Sequence, residues 1–319
     1  MDIMIGNTPM IKVTYLYNGI EKHIFAKLES YNITGSIKDR IAYYILTKAY
    51  NDGLLTKGME IVEATSGNTG IALASLGSRL GNPVHIFMPD WVSKERYDLM
   101  KMYGAKVTLV SKEEGGFVKA IESAKEYAKE NNAFLVNQFS NPYNVLAHFE
   151  TTGEEIINQL GNLIGGFVSG IGTGGTLIGT GRRLKAFDNN IKIYAMEPDK
   201  MPLLSQNKII GEHKIEGIGD EFIPEIVDKS IIDDIIVVND DDSINMARII
   251  SRDLGLGVGI SSGANMIASI LAKENNNKEI VTVFADDNKK YISTELSNPV
   301  DNNPEFISNK IKLVDYEFI

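Results

Sequence analysis

Among its 319 residues the chain has no cysteine, one tryptophan and four histidines. Without cysteine there are no disulfides, no thiolate metal sites and no cysteine nucleophile, a composition that suits a reducing cytoplasm. Basic residues are the minority charge: 32 Lys and Arg against 42 Asp and Glu give a formal charge of −10. A field of that sign repels polyanions, so neither nucleic acid nor an anionic membrane is an expected partner. Long apolar runs are also scarce. Leu163–Gly181 is 19 residues without a charge, but eight are glycine and four are Ser or Thr. Such a segment is a poor helix and weakly apolar, and reads as a buried strand, a glycine loop and a helix start rather than a membrane span. The opening MDIMIGNTPM has neither the basic nor the long apolar part of a secretory signal. A soluble cytoplasmic protein is expected. With 43% hydrophobic residues and a mean hydropathy of −0.09, the chain can bury a large core, as two domains or one large α/β unit.

Strand-like runs alternate with amphipathic stretches. Strands are expected at Ile24–Leu28, Glu60–Glu63, Val84–Met88, Lys106–Val110, Phe134–Asn137, Gly166–Ser169, Lys192–Met196, Asp234–Val238 and Glu279–Phe284. Helical spacing marks Ile37–Asn51, Ser93–Tyr103, Phe117–Glu130 and Ser243–Leu254, with Gly53, Gly104 and Gly255 placed as C-terminal caps. This alternation predicts crossover connections and mainly parallel sheets.

Chemistry concentrates in small-residue loops, each expected at a strand-to-helix junction. Thr65-Ser66-Gly67-Asn68-Thr69-Gly70 offers hydroxyls, an amide and helix N-terminal N–H groups, a setting for a carboxylate or phosphate and equally a capped turn. Ser169–Thr176 contains G-x-G-x-x-G at Gly170, Gly172 and Gly175, and Glu197 follows Gly175 by 22 residues. Read alone, that is a dinucleotide fingerprint with its ribose acid, although any such cradle binds phosphate. Val258–Asn265 opens a further helix and reads alone as an N-cap. Lys38, in Gly35-Ser36-Ile37-Lys38-Asp39-Arg40, falls in a first helical turn, where the dipole opposes a cation; a lysine kept there points to reactivity.

In order along the chain, these segments, with Gly6-Asn7-Thr8-Pro9, Glu95-Arg96, Tyr103-Gly104-Ala105, Asn137–Pro142 and Tyr291–Thr294, resemble the cysteine synthase and cystathionine β-synthase family. These are fold-type-II pyridoxal 5′-phosphate enzymes. The resemblance implies a two-domain α/β fold of the tryptophan synthase β type, with mainly parallel sheets and the cofactor between the domains. It puts the smaller domain at 32–141, the larger at 6–31 plus 142–319, and implies a homodimer. Position by position it gives Lys38 the Schiff base and the substrate's α-proton, and Asn68 the 3′-oxygen of the ring. Thr65, Ser66, Thr69 and Gln138 take the substrate carboxylate. Gly172, Thr173, Gly174, Gly175 and Thr176 take the cofactor phosphate, and Ser261 the pyridine nitrogen. A neutral hydroxyl at that nitrogen makes the ring a milder electron sink, which suits β-replacement or β-elimination.

Two stretches depart from the family pattern. Ala285-Asp286-Asp287-Asn288-Lys289-Lys290-Tyr291 replaces the usual Pro-Ser-Ser-Gly-Glu-Arg-Tyr, and sequence alone attaches no consequence to it. Gly217-Ile218-Gly219-Asp220-Glu221-Phe222 replaces Gly-Ile-Gly-Ala-Gly-Phe. The resemblance turns Asp220 toward the substrate's β-carbon. A carboxylate there repels hydrosulfide and accepts a proton from water; once protonated it donates to a departing thiolate. The expectation is a cysteine hydroxyl-lyase, converting L-cysteine and water through an α-aminoacrylate into L-serine and hydrogen sulfide. Cysteine synthesis from O-acetyl-L-serine and sulfide is the near alternative. A nicotinamide-dependent oxidoreductase and a non-catalytic binder are the distant ones. Docking of a serine acetyltransferase tail, which some cysteine synthases bind, has no support in the sequence.

Overall fold

The computed structural model describes residues 4–319, so Met1–Ile3 of the opening stretch lie outside it. Strands β1 (Met10–Tyr17) and β2 (Ile20–Leu28) form a hairpin and lead into α1 (Lys38–Asn51). Then follow β3 (Ile61–Ala64), α2 (Asn68–Leu80), β4 (Val84–Pro89), α3 (Lys94–Met102), β5 (Lys106–Val110), α4 (Gly116–Glu130) and β6 (Phe134–Leu135). Helices α5 (Pro142–Glu150) and α6 (Thr152–Leu160) precede β7 (Ile164–Gly170), α7 (Gly175–Phe187), β8 (Lys192–Pro198), the short α8 (Leu203–Gln206) and β9 (Asp234–Val238). The chain finishes with α9 (Asp240–Leu254), α10 (Ile260–Glu274), β10 (Glu279–Phe284) and β11 (Ile311–Phe318).

Two sheets result. One has the order β5-β4-β3-β6 and is parallel throughout. The other has the order β11-β1-β2-β10-β7-β8-β9, parallel from β2 to β9 and antiparallel over β11-β1-β2. Helices cover the parallel strands on both faces, which is why β4 is buried along its whole length and β10 along all but its first residue. Helix α10 is buried without interruption from Ile260 to Ile270, and polar side chains on it are matched there: Ser262 accepts from the Ala285 N–H, Asn265 donates to the Val283 carbonyl and Ser269 to the Asn265 carbonyl.

The nine expected strands are present, β5, β9 and β10 with the expected boundaries and the others shifted by one to a few residues; β1 and β11 were not expected. Asn18 and Gly19, both at positive φ (52° and 74°), make the tight hairpin turn between β1 and β2. Gly53, Gly104 and Gly255 all sit at positive φ just beyond α1, α3 and α9. One loop is misplaced by the sequence reading: Val258–Gly259 joins α9 to α10, helix to helix, because no strand intervenes after Leu254.

Candidate active site

The segments that follow β3, β7 and β10 at their C-terminal ends open onto one cleft, the usual place for a site in open α/β sheets. Lys38, Thr65, Ser66, Asn68, Thr69, Gln138, Gly172, Thr173, Gly174, Thr176, Asp220 and Ser261 all line it. Of the residues expected at the site only Gly175 does not. It packs instead against α5, where any Cβ would strike the Asn144 side chain.

Lys38 is the first residue of α1, and its position is fixed from both sides. Behind it, the Ile37 N–H donates to the Ala285 carbonyl (2.9 Å) and Ser36 bridges to Asp286, tying the helix start to the end of β10. One position beyond Asp39, Arg40 Nε donates to Glu29 (2.7 Å) and its Nη2 donates to Glu29 (2.8 Å) and Glu155 (2.8 Å). Burial alone would raise Glu155, but Arg40 and Lys27 outweigh it and hold the carboxyl at about 2. Lys38 Nζ itself has no hydrogen-bond or ion-pair partner among the described residues. Burial pushes its pKa down, with Asp286, Asp220 and Glu29 opposing the shift.

Facing Lys38 is Asp220, whose carboxyl is pushed up to about 6, mainly by burial, with Lys38 pulling it down and Glu221 pushing it up. Its loop is latched: Gly219 has φ +71°, its N–H donates to the Ile171 carbonyl (2.9 Å), and its carbonyl meets His213 Nε2 (2.8 Å). At the mouth, Glu216 pairs with Arg96, whose guanidinium lies 4.5 Å from the Tyr291 ring centre.

On the opposite rim the Thr69 hydroxyl donates to Gln138 Oε1 (2.7 Å), and Gln138 Nε2 donates to the Ala64 carbonyl (3.0 Å). Beneath it Glu63 accepts from the N–H groups of Ala64 (2.7 Å) and Gln138 (2.9 Å), and burial pushes its carboxyl up to about 7. In the glycine cradle, a Cβ on Gly172 would strike the Gly217 carbonyl, so the loop needs glycine there for close backbone approach.

Sequence reasoning missed the polar residues that hold this cradle. Asn144 Nδ2 donates both to Thr173 Oγ1 (2.9 Å) and to the Gln138 carbonyl (2.9 Å), while His148 Nε2 meets Thr176 Oγ1 (3.2 Å). Burial keeps His148 well below the usual histidine range, hence neutral. Their spacing, i and i+4 on one face of α5, was the available signal. The dinucleotide reading fails at Glu197: it caps α8, accepting from Leu204 N (2.8 Å), Ser205 N (3.1 Å) and the Ser205 hydroxyl, and lies outside the cleft.

The protein family described as pyridoxal-phosphate dependent enzymes matches residues 1–286. The chain belongs to that family. A cysteine synthase of Staphylococcus aureus is 41% identical over 296 residues, covering 92% of this chain and 95% of the relative. The structure of a hydrogen sulfide-producing enzyme from Fusobacterium nucleatum superposes with a TM-score of 0.94 at 48% identity, covering 99% of this chain and 97% of that one. The same enzyme, in an Asp-to-Asn, lysine-dimethylated form complexed with an α-aminoacrylate intermediate, gives 0.94 at 49% identity, over 98% and 95% of the two chains. A cysteine synthase from Entamoeba histolytica gives 0.89 at 38% identity, over 96% and 92%. The chain is thus a two-domain α/β, cysteine synthase-like pyridoxal-phosphate enzyme.

The cleft fits the cofactor this family uses. It offers an unpartnered lysine amine, a glycine cradle at the N-terminus of α7 for a phosphate, and Asn68, whose buried Oδ1 lacks a partner.

Proposed function

We propose that this enzyme carries out β-replacement on L-cysteine, releasing hydrogen sulfide and forming L-serine. The observation that carries the reading is Asp220, a carboxyl held near 6 in the same cleft as Lys38. Lys38 would anchor pyridoxal 5′-phosphate; Gly172, Thr173, Gly174 and Thr176 would hold its phosphate, Asn68 its ring oxygen and Ser261 its ring nitrogen. When bound, the cofactor supplies an electron sink for the amino acid's α-carbon. Thr65, Ser66, Thr69 and Gln138 receive the substrate carboxylate at the start of α2, where unpaired N–H groups and the helix dipole favour an anion.

Lys38 removes the α-proton, and its depressed pKa leaves more of the amine in the neutral, basic form. At the β-carbon the C–S bond breaks, and Asp220 in its acid form gives its proton to the departing thiolate. The resulting carboxylate takes a proton from water as the C–O bond forms. Asp220 ends protonated and Lys38 returns its proton to the α-carbon, so L-cysteine plus water becomes L-serine plus hydrogen sulfide with atoms and charge balanced. With a carboxyl near 6, roughly a tenth is protonated at pH 7, enough for both roles to be populated. A 49% identical relative in an Asp-to-Asn form is complexed with an α-aminoacrylate intermediate, the species this scheme would leave if no carboxylate took the proton from water.

The enzyme acts as a soluble cytoplasmic homodimer in this reading. No helix among the described residues is long and apolar enough to cross a membrane. The test supplies purified enzyme with L-cysteine alone, and separately with O-acetyl-L-serine plus sulfide. Equal amounts of sulfide and serine from cysteine alone are expected. Efficient cysteine formation with little sulfide release would establish the synthase direction instead.

A further inference from the structure

Ala285–Tyr291, the stretch without a role in the sequence reading, holds a buried acid just behind the cleft wall. Asp286 is 1% exposed and sits where three segments meet. Its backbone bridges to Ser36, its carbonyl accepts from the Gly259 N–H (3.1 Å), and its side chain reaches the first residue of α2. Oδ2 accepts from Asn68 Nδ2 (2.8 Å) and from the Tyr291 hydroxyl (2.9 Å). Oδ1 has no partner and lies against Gly259, where any Cβ would collide with it. Burial first, then the neighbouring Asp286, push the Tyr291 phenol above its ordinary range, so its O–H stays available as a donor. Lys38 and the buried Lys290 are the cations facing the acid.

Burying a carboxylate is costly unless the surroundings answer it. Here an amide, a phenol and a bare glycine are committed to one side chain. The two ends of an amide have nearly the same shape, so Asn68 alone could face either way. Beside a carboxylate only its N–H end is tolerated. One N–H held on Asp286 therefore presents the remaining N–H and the unpartnered Oδ1 in a single orientation.

We propose that Asp286 is a positioning residue that locks the Asn68 amide in one orientation for the ring oxygen of the cofactor, with Tyr291 holding the acid in place. This rests on the assignment of Asn68 to the cofactor made above.

The test is a double-mutant cycle on the dissociation constant of pyridoxal 5′-phosphate, with cofactor removed from the purified enzyme and titrated back, for Asp286→Asn, Asn68→Ala and the pair. The melting temperature of each cofactor-free protein is read alongside. Each single change is expected to weaken binding about tenfold, the pair no more than Asn68→Ala alone, with cofactor-free melting temperatures unmoved. A product of effects, near a hundredfold in the pair, overturns the inference and indicates that Asp286 acts through the charge of Lys38 instead. Parental affinity in Asp286→Asn also overturns it while leaving the Asn68 assignment standing. Parental affinity in Asn68→Ala sinks that assignment, and the inference with it. Should Asp286→Asn not fold, Tyr291→Phe removes only the supporting hydroxyl. Its smaller loss, about threefold, is expected to vanish in the Asn68→Ala background, and persistence there overturns the inference equally.

Discussion

Across the cleft, the rim formed by Thr65–Thr69 and Gln138 carries no charged side chain, whereas the segment Glu216–Glu221 opposite brings two acids into the cleft, Glu216, paired with Arg96, and Asp220. The neutral rim is a helix N-terminus edged with hydroxyls and an amide, and its dipoles attract an anion without fixing its chemistry. The acidic rim does the opposite. It discourages an anionic nucleophile and offers a proton acceptor to a neutral one. In the proposed reaction, binding the amino acid and choosing what reacts at its β-carbon are separate tasks on separate walls.

The comparison can be broken or sharpened by substitution. The largest effect belongs to Lys38, which both walls face. Lys38→Ala is expected to lower sulfide release from L-cysteine at least a thousandfold and to leave a cofactor that borohydride no longer fixes to the protein, read by mass spectrometry. Next is the neutral rim. Gln138→Ala removes the partner of Thr69, and is expected to raise KM for L-cysteine about tenfold to a hundredfold with a smaller change in kcat. For the acidic rim, Asp220→Ala lifts the repulsion of hydrosulfide. Cysteine formation from O-acetyl-L-serine and sulfide is expected to rise severalfold, in keeping with ~1 kcal/mol of relieved charge repulsion. Unchanged synthesis would mean that charge at this wall does not select the nucleophile.

The effect furthest from catalysis, on stability alone, lies under the neutral rim. Glu63 titrates near 7 in the folded protein against an ordinary 4.5, so the folded state holds a proton that the unfolded chain has already lost between those values. Its contribution to stability is therefore greatest below pH 4.5 and falls as pH rises toward 7. Glu63→Gln is expected to flatten that fall by ~2 kcal/mol, measured by urea unfolding across pH 5 to 7.5.

Most of the cleft was legible in the sequence because glycine loops and a lysine at a helix start are local signals, confined to a few consecutive residues. What was missed depends on distant partners. The β1–β2 hairpin carried a local mark, Asn18-Gly19 between alternating strands, that went unread; β11 carried none, since it is ordered by pairing with β1 about 300 residues earlier. Glu197 matched a spacing rule, yet its carboxylate is consumed by the N-terminus of α8, which no spacing reveals. Asp286 and Asn144 act by holding other residues, and each becomes visible only when its partners at 68 and 291, or at 138 and 173, are brought beside it.

The most direct measurement of the central claim compares the parent with Asp220→Asn on L-cysteine alone, following sulfide, serine and pyruvate together. The parent is predicted to yield sulfide and serine in equal amounts. The variant is predicted to keep its cofactor and release sulfide in a first turnover, more slowly because the thiolate leaves without an acid, and to lose most serine formation, because an amide cannot take the proton from water. Serine production at the parental rate by Asp220→Asn would contradict the account.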